Sequence, residues 1–362
     1  MADPVAFYKS GDTVEGLRVI QFVGHGAAST VYLAQDPKTK QIWALKHVHR
    51  STEKDDRFLE QAVGEYEVAS KLNHAAIRAI PKIFKSRAKL FTVLTDVMLV
   101  MEYVDGVSMD KKRPKNYEDA VEIFHQVASA MKHMHERGYV HADMKPNNVM
   151  LLPGPVAKII DLGQSCAINA TKERIQGTPD YMAPEQSQKN QPITPQTDIY
   201  NLGATMYWVL TKQAVPTPMN MTNEDSLISK VDPSLLPKPK PVSEIDPNCH
   251  PKLNELIMHC VELDPNDRPE SMGFVCDRLQ LILGMIRASR KTNGNKNADS
   301  FALYDPASSK GGTKGGTSMG TKSGLKGGTK GGTKGGTKFG ESKDPRSGST
   351  SVLGVRVVPP EK

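Results

Sequence analysis

A chain of 362 residues, 38% hydrophobic and 24% charged, has the composition of a globular protein with one large core or two smaller ones. It has no run of 18 or more apolar residues, and its opening stretch MADPVAFYKSGDTVEG has neither a basic n-region nor an apolar h-region, so it reads as cytoplasmic. The net charge of +7 is local: seven lysines and no acid fall within residues 310–340, and without them 40 basic residues balance 40 acidic ones. Cys166, Cys249, Cys260 and Cys276 show no CxxC or metal-ligand spacing and are expected as buried or partly buried free thiols.

The first hundred residues read mainly as strands. LRVIQFVG and STVYLAQD flank GHGAA, and QIWALKHV follows the turn-like DPKTK, which predicts three antiparallel strands. DRFLEQAVGEYEVASKLNH carries Leu59, Val63, Tyr66 and Leu72 at helical spacing, and FTVLTDVMLVMEYV returns to strand composition. From about Asn116 the period becomes helical, with Ala120, Ile123, Phe124, Val127, Met131 and Met134 on one face of a helix ending at Gly138. TDIYNLGATMYWVLT, PKLNELIMHCVEL and FVCDRLQLILGMIRAS predict further helices, and the proline-rich span from Pro216 to Pro247 predicts a long surface connection. Residues 1–14 are thus an N-terminal extension, 15–104 a β-rich lobe, 105–291 a helical lobe and 292–362 a tail. The tail, rich in Gly, Lys, Ser and Thr with a GGTK repeat, is expected to be a disordered basic linker.

Several polar residues stand where chemistry needs them. The glycines of GHGAAST let backbone N–H groups approach phosphate, although a hairpin with two glycines would look the same. Lys46 lies in an apolar strand segment and needs a partner, for which Glu65 is best placed by spacing; the pair would face phosphate or only stabilise the lobe. In YVHADMKPNNVML, Asp143 can accept a hydroxyl proton, Lys145 can neutralise a moving phosphoryl group and Asn148 can bind a metal. Asp161 in IIDLG would be the main magnesium ligand, or simply part of a turn.

Together and in this order, these elements resemble a eukaryotic-type (Hanks-type) serine/threonine protein kinase domain, bacterial members in particular, over roughly Glu15 to Arg290. GHGAASTV resembles the Gly-rich loop, WALK the lysine motif, HADMKPNNV the catalytic loop, DLG the magnesium motif and GTPDYMAPE the end of the activation segment. The resemblance implies an α+β bilobal fold, ATP and Mg²⁺ (or Mn²⁺), and protein substrates. It implies ATP contacts from Val23, Gly24, Gly26, Val31, Ala44, Lys46, Glu65 and Met150, with Met101 as gatekeeper and Glu102 and Val104 supplying hinge hydrogen bonds. It further implies catalysis by Asp143 and Lys145, metal binding by Asn148 and Asp161, and supporting roles for His141, Leu162, Gly163, Thr178, Glu185, Asp198 and Arg268. Lys145 and Thr178 match the Ser/Thr form.

The departures from the family pattern are Ser29 for the third loop glycine, Leu162 for phenylalanine, a small Ala69 four residues after Glu65, and Ala142. The usual arginine at Ala142 would pair with a phosphorylated activation segment. Alanine predicts that phosphorylation at Ser165 or Thr171 is not the main switch. Two other readings are a catalytically silent scaffold and a binder of nucleic acid or anionic surfaces through the lysine tail. All five catalytic positions are present, and the tail has only Phe339 for stacking, so both readings are weaker. Thr313, Thr321, Thr329, Thr333 and Thr337, beside lysines, are candidate autophosphorylation sites.

Overall fold

The computed structural model describes residues 8–292, apart from 27, 89–92, 176 and 218–235, together with Leu303 and Tyr304. The GGTK tail, its threonines and most of the proline-rich connection lie outside these residues. An antiparallel sheet forms the N-lobe: β1 Thr13–Val14, β2 Leu17–His25, β3 Ser29–Gln35, β4 Ile42–His49, β5 Lys82–Arg87 and β6 Leu94–Glu102, in the order β1-β2-β3-β4-β6-β5. Its register fixes which side chains meet, since directly opposed residues share a face and alternate residues return to it. Val31, Lys46 and Leu99 form one cross-strand row, and Leu33, Ala44 and Met101 form the next row on the same face. The other face buries Tyr32, Leu45, Met98 and Val100. Two imidazoles on that face, His47 and His49, share the Asp96 carboxylate oxygen at 2.9 and 2.7 Å and tie β4 to β6.

Helix α1 (Asp56–Ala69) buries Leu59, Ala62, Glu65, Val68 and Ala69. The spacing is amphipathic except that one of the five is a glutamate. After α1, the chain touches the C-lobe before entering β5: Arg78 N–H donates to Ile159 O and Ile159 N–H to Ala76 O, both at 2.8 Å.

The C-lobe begins with β7 (Val107–Ser108) and α2 (Tyr117–His135). The α2 helix starts at Asn116, whose side chain accepts the Asp119 N–H at 2.8 Å; Glu118 and Asp119 occupy the first turn and Lys132, His133 and His135 the last, matching the helix dipole. The helix stops at His135, three residues short of Gly138, which takes φ 81°. Phe124 and Met131 on its inner face are fully buried, each contributing about 1.5–3 kcal/mol by removal from water. Short strands follow: β8 (Tyr139–Val140), β9 (Val149–Leu152) and β10 (Val156–Ile159), with β10-β9-β7 forming a three-stranded sheet. Strand β11 (Cys166–Ala167) pairs with β8, and β12 (Ala170–Thr171) pairs with β13 (Pro192–Ile193).

Helix α3 (Pro195–Thr211) is buried nearly all round, as its weakly polar sequence requires. A Cβ on Gly203 would lie 2.6 Å from the Cys260 Cβ, so glycine permits this close packing. Helices α4 (Val242–Ile245), α5 (Pro251–Cys260) and α6 (Met272–Thr292) complete the lobe; α4 lies within the span expected as connection. Leu303, expected to belong to the tail, packs against the core, and Tyr304 N–H donates to the buried Asp246 at 3.2 Å. Asp246 also accepts the Tyr117 hydroxyl at 2.7 Å. All four cysteines are free; Cys166 is partly buried and the other three are buried. No helix among the described residues is long and apolar enough to cross a membrane.

Candidate active site

The sheet face carrying Val31, Ala44, Lys46 and Met101 looks toward α1. Lys46 Nζ donates to Glu65 Oε2 at 2.6 Å; the Glu65 side chain is fully buried, while the Lys46 side chain keeps 21% of its surface exposed. Burial alone would lower the Lys46 pKa, but the charges of Glu65 and Asp161 hold it above its ordinary value. Gly24 pairs with Val31, and Gly26 N–H donates to Ser29 O at 2.7 Å, closing the glycine loop as a hairpin; Val23 falls at an irregularity in the β2–β3 register. At the hinge, Glu102 N–H is committed to Ala79 O, and its carboxylate accepts Lys158 Nζ at 2.5 Å. Val104 is half-buried, and Met150 on β9 is buried.

Below the cleft, residues 141–148 form a loop that is almost wholly internal. Asp198 of α3 accepts the backbone N–H groups of His141 and Ala142, each at 2.8 Å, and the His135 ring at 2.8 Å. Burial would raise the Asp198 carboxyl, yet these donors keep it below its ordinary value. His141 accepts the Asp143 N–H at 3.2 Å, and burial pushes its own pKa down, leaving a neutral ring. The Asp143 carboxylate accepts Lys145 Nζ at 2.8 Å through one oxygen and the Thr178 hydroxyl at 3.0 Å through the other. Lys145 Nζ also donates to Thr178 Oγ1 at 2.6 Å. Asn148 donates to the Asp143 carbonyl at 2.8 Å, which turns its amide oxygen away; that oxygen is buried and has no hydrogen-bond partner among the described residues.

Asp161 follows β10 and is partly buried. Burial would raise its pKa, but Lys46, the Gly163 N–H at 2.9 Å, Arg78 and Lys145 bring it below the ordinary carboxylate value. A Cβ on Gly163 would stand 2.7 Å from Gln61 Nε2 and 3.1 Å from Asp161 Oδ1, so a side chain there would require Gln61 to move and would crowd the Asp161 carboxylate. Leu162 is buried in the main core. Arg268 meets Glu185 through two parallel bonds of 2.8 and 2.9 Å, fixing the end of the activation segment.

Two features escape the sequence. Ala142 has φ 62°, an unusual angle for a residue with a Cβ, and its carbonyl accepts Gln186 Nε2 at 2.8 Å. Its methyl packs with Val140, Ile193, Cys166 and Ile168, so apolar contacts occupy the neighbourhood where a phosphate-binding arginine was the alternative. Arg78 is 6% exposed and faces the oxygen of Glu65 that Lys46 does not use, at 3.7 Å. Its neighbours Ala76, Ile77 and Ile80 give it the appearance of a solvent-facing residue in an apolar run; the only sequence signal was that run.

A curled antiparallel sheet above a helical lobe, with the Lys46–Glu65 pair acting on Asp161 and Asp161 in turn on Lys145 of the Asp143 loop, defines a protein-kinase-like fold. The chain belongs to the protein kinase domain family, whose model matches residues 17–278. It is 26% identical over 279 residues to a probable serine/threonine-protein kinase of Clostridium acetobutylicum, covering 73% of this chain and 39% of that protein. Serine/threonine-protein kinase Nek5 of Mus musculus is 29% identical over 266 residues, covering 71% and 39%. Serine/threonine-protein kinase PknB of Mycolicibacterium smegmatis is 26% identical over 302 residues, covering 80% and 47%. The chain thus spans less than half the length of each of these relatives.

The family implies ATP and a divalent cation. The residues present fit such a cation: Asn148 offers an orphaned buried oxygen and Asp161 an ionised carboxylate, a hard-oxygen set.

Proposed function

We propose that this protein transfers the γ-phosphoryl group of ATP to serine or threonine hydroxyls of protein substrates. The observation that carries the reading is the Asp143 carboxylate, held on its two oxygens by Lys145 and Thr178. So oriented, Asp143 accepts the proton of an incoming hydroxyl, while Lys145 faces the negative charge that develops on transfer. Lys46, steadied by Glu65, meets phosphate oxygens, and Val31, Ala44 and Met150 enclose the adenine with Met101 at the back; Val23, Gly24, Gly26 and the backbone of Glu102 and Val104 complete the nucleotide contacts. Asn148 and Asp161 hold Mg²⁺, or Mn²⁺ in its place, which would neutralise phosphate charge. The serine/threonine names of the relatives and the Thr178–Lys145 contact support the substrate class. A cytoplasmic setting is part of the same reading.

A noncatalytic scaffold is disfavoured because Lys46, Glu65, Asp143, Asn148 and Asp161 are all retained. Control follows from Ala142: the activation segment is held by the β11–β8 and β12–β13 pairs, by the apolar cluster around Ala142, and by Lys172 Nζ donating to Gln164 O at 2.8 Å. None of these contacts needs a phosphate. The test is labelled ATP with Mg²⁺ and a generic protein substrate, comparing wild type with Asp143→Asn. Incorporation is expected to fall at least about 100-fold; equal incorporation overturns the reading. Ser165→Ala/Thr171→Ala is expected to retain most activity, and its collapse would reject phosphate-independent control. Phosphopeptide mapping decides whether Thr313, Thr321, Thr329, Thr333 and Thr337 are autophosphorylated.

A further inference from the structure

Arg78 is a charge in a place that ought to exclude one. It follows an apolar stretch with Ala76 and Ile77 buried, and it is itself almost completely buried. Its backbone is committed to the C-lobe, because Arg78 N–H donates to Ile159 O at 2.8 Å and Ile77 bridges Ile159. Ile159 ends β10, two residues before Asp161. The side chain crosses to the N-lobe, where Nη2 lies 3.7 Å from Glu65 Oε1. That separation is an ion pair without a hydrogen bond: Arg78 Nε and Glu65 Oε1 are both buried and have no hydrogen-bond partner among the described residues. Asp161 and Glu102 also act on the guanidinium electrostatically, and Lys46 feels its repulsion.

Glu65 is therefore attended by two cations, one on each oxygen. Lys46 comes from β4 and Arg78 from the segment pinned beside Asp161. If α1 swung outward, Lys46 could turn to solvent through the cleft, since part of its surface is already exposed. Arg78 has no such exit; an outward Glu65 would leave its guanidinium buried without its nearest anion, and a buried unpaired charge is strongly unfavourable. Ala69, one turn beyond Glu65 on the same side of α1, has only a methyl group to offer the lobe interface. The inward position of α1 then depends on charge where a larger residue would have supplied packing.

Resting on the phosphoryl-transfer reading above, we propose that Arg78 is a positioning residue that holds Glu65, and through it α1 and Lys46, in register with Asp161. It touches no reacting atom. It acts as an internal strut between the lobes, and with Ala142 it gives a site whose working geometry is built in.

The experiment uses the full chain with Arg78→Met, Arg78→Lys and Glu65→Gln, singly and as the Arg78→Met/Glu65→Gln double variant. Three quantities are read: kcat and KM for ATP, the thermal midpoint, and hydrogen exchange of the α1 amides, residues 56–69. Arg78→Met is expected to lower kcat about ten-fold with a smaller change in KM, to speed α1 exchange, and to leave the midpoint unchanged or raised, because a buried charge has been replaced by an apolar chain of similar length. Arg78→Lys restores slow α1 exchange and most of kcat, and Arg78→Met adds nothing on top of Glu65→Gln. The proposal is overturned if Arg78→Met keeps wild-type kcat and α1 exchange, if its loss of activity tracks a lower midpoint and Arg78→Lys does not rescue it, or if the two substitutions are additive. Exchange is measured without turnover. A wild-type protein that fails to phosphorylate would sink the reaction and still leave α1 exchange to decide for or against Arg78.

Discussion

Arg268 and Arg78 are both buried and each faces a glutamate, but their surroundings differ. Arg268 satisfies its guanidinium completely: two bonds to Glu185 and further donations to the carbonyls of Gln196, Glu262 and Leu263, with Tyr200 below its plane at 5.0 Å. Arg78 has a carboxylate at 3.7 Å and an unbonded Nε. A guanidinium with five good bonds is fixed in one arrangement and serves stability. One with unmet capacity contributes less to stability, and its burial there calls for another account, which α1 provides. The two glutamates differ in the same sense, since Glu185 depends on one cation and Glu65 on two.

The largest expected effect breaks the satisfied pair. Glu185→Gln removes the only carboxylate bound to Arg268 among the described residues and should destabilise the protein by about 3–5 kcal/mol, read by urea unfolding. A loss near zero would make the two arginines equivalent and end the distinction. Lys46→Met, by contrast, leaves Glu65 with Arg78, so stability should change by only about 1 kcal/mol while activity falls at least about 100-fold. A stability loss as large as that of Glu185→Gln would mean that Arg78 gives Glu65 no support.

A smaller effect concerns pH. His141 is buried with its pKa held below 6.5, so the unfolded chain takes up this proton first as pH falls. Stability is complete above pH 6.5 and declines below it until the folded ring protonates, at no more than about 1.4 kcal/mol per pH unit. Asp198 has the pattern of a depressed carboxyl: its contribution is present above pH 3.8 and is lost only as pH falls through the lower folded value. Loss between pH 6.5 and 5 therefore belongs to histidines, to His141 first and then to His74, His133 and His250, which are also held low. His141→Asn should flatten that limb, and an equally steep curve would remove His141 from it.

Much of this was legible in the chain. Local pattern located β2, β3, β4, α1, β6 and the long helices because their periods are regular, and it located the 141–148 loop because its polar residues are crowded between apolar ones. The Lys46–Glu65 contact followed from one requirement, that an inward ammonium have a partner. Strand β5, KIFKSR, was not expected, because it is a short edge strand with four polar residues and only its neighbour β6 gives it order. Arg78 was missed for a related reason: its burial depends on where α1 comes to rest, which no neighbouring residue reports. The packing of Ala142 with Ile193 likewise joins residues far apart in the chain.

The Asp246 carboxylate bears on where the folded unit ends. It is 2% exposed, and one oxygen receives Tyr117 from the start of α2 and Tyr304 from beyond α6. A truncation after Thr292, at the border that composition suggests, would delete Tyr304 and Leu303, admit water to a buried anion and uncover an apolar spot on the core. A truncation after Tyr304 keeps both contacts. For recombinant work the kinase domain is better cut twelve residues later than its last helix implies.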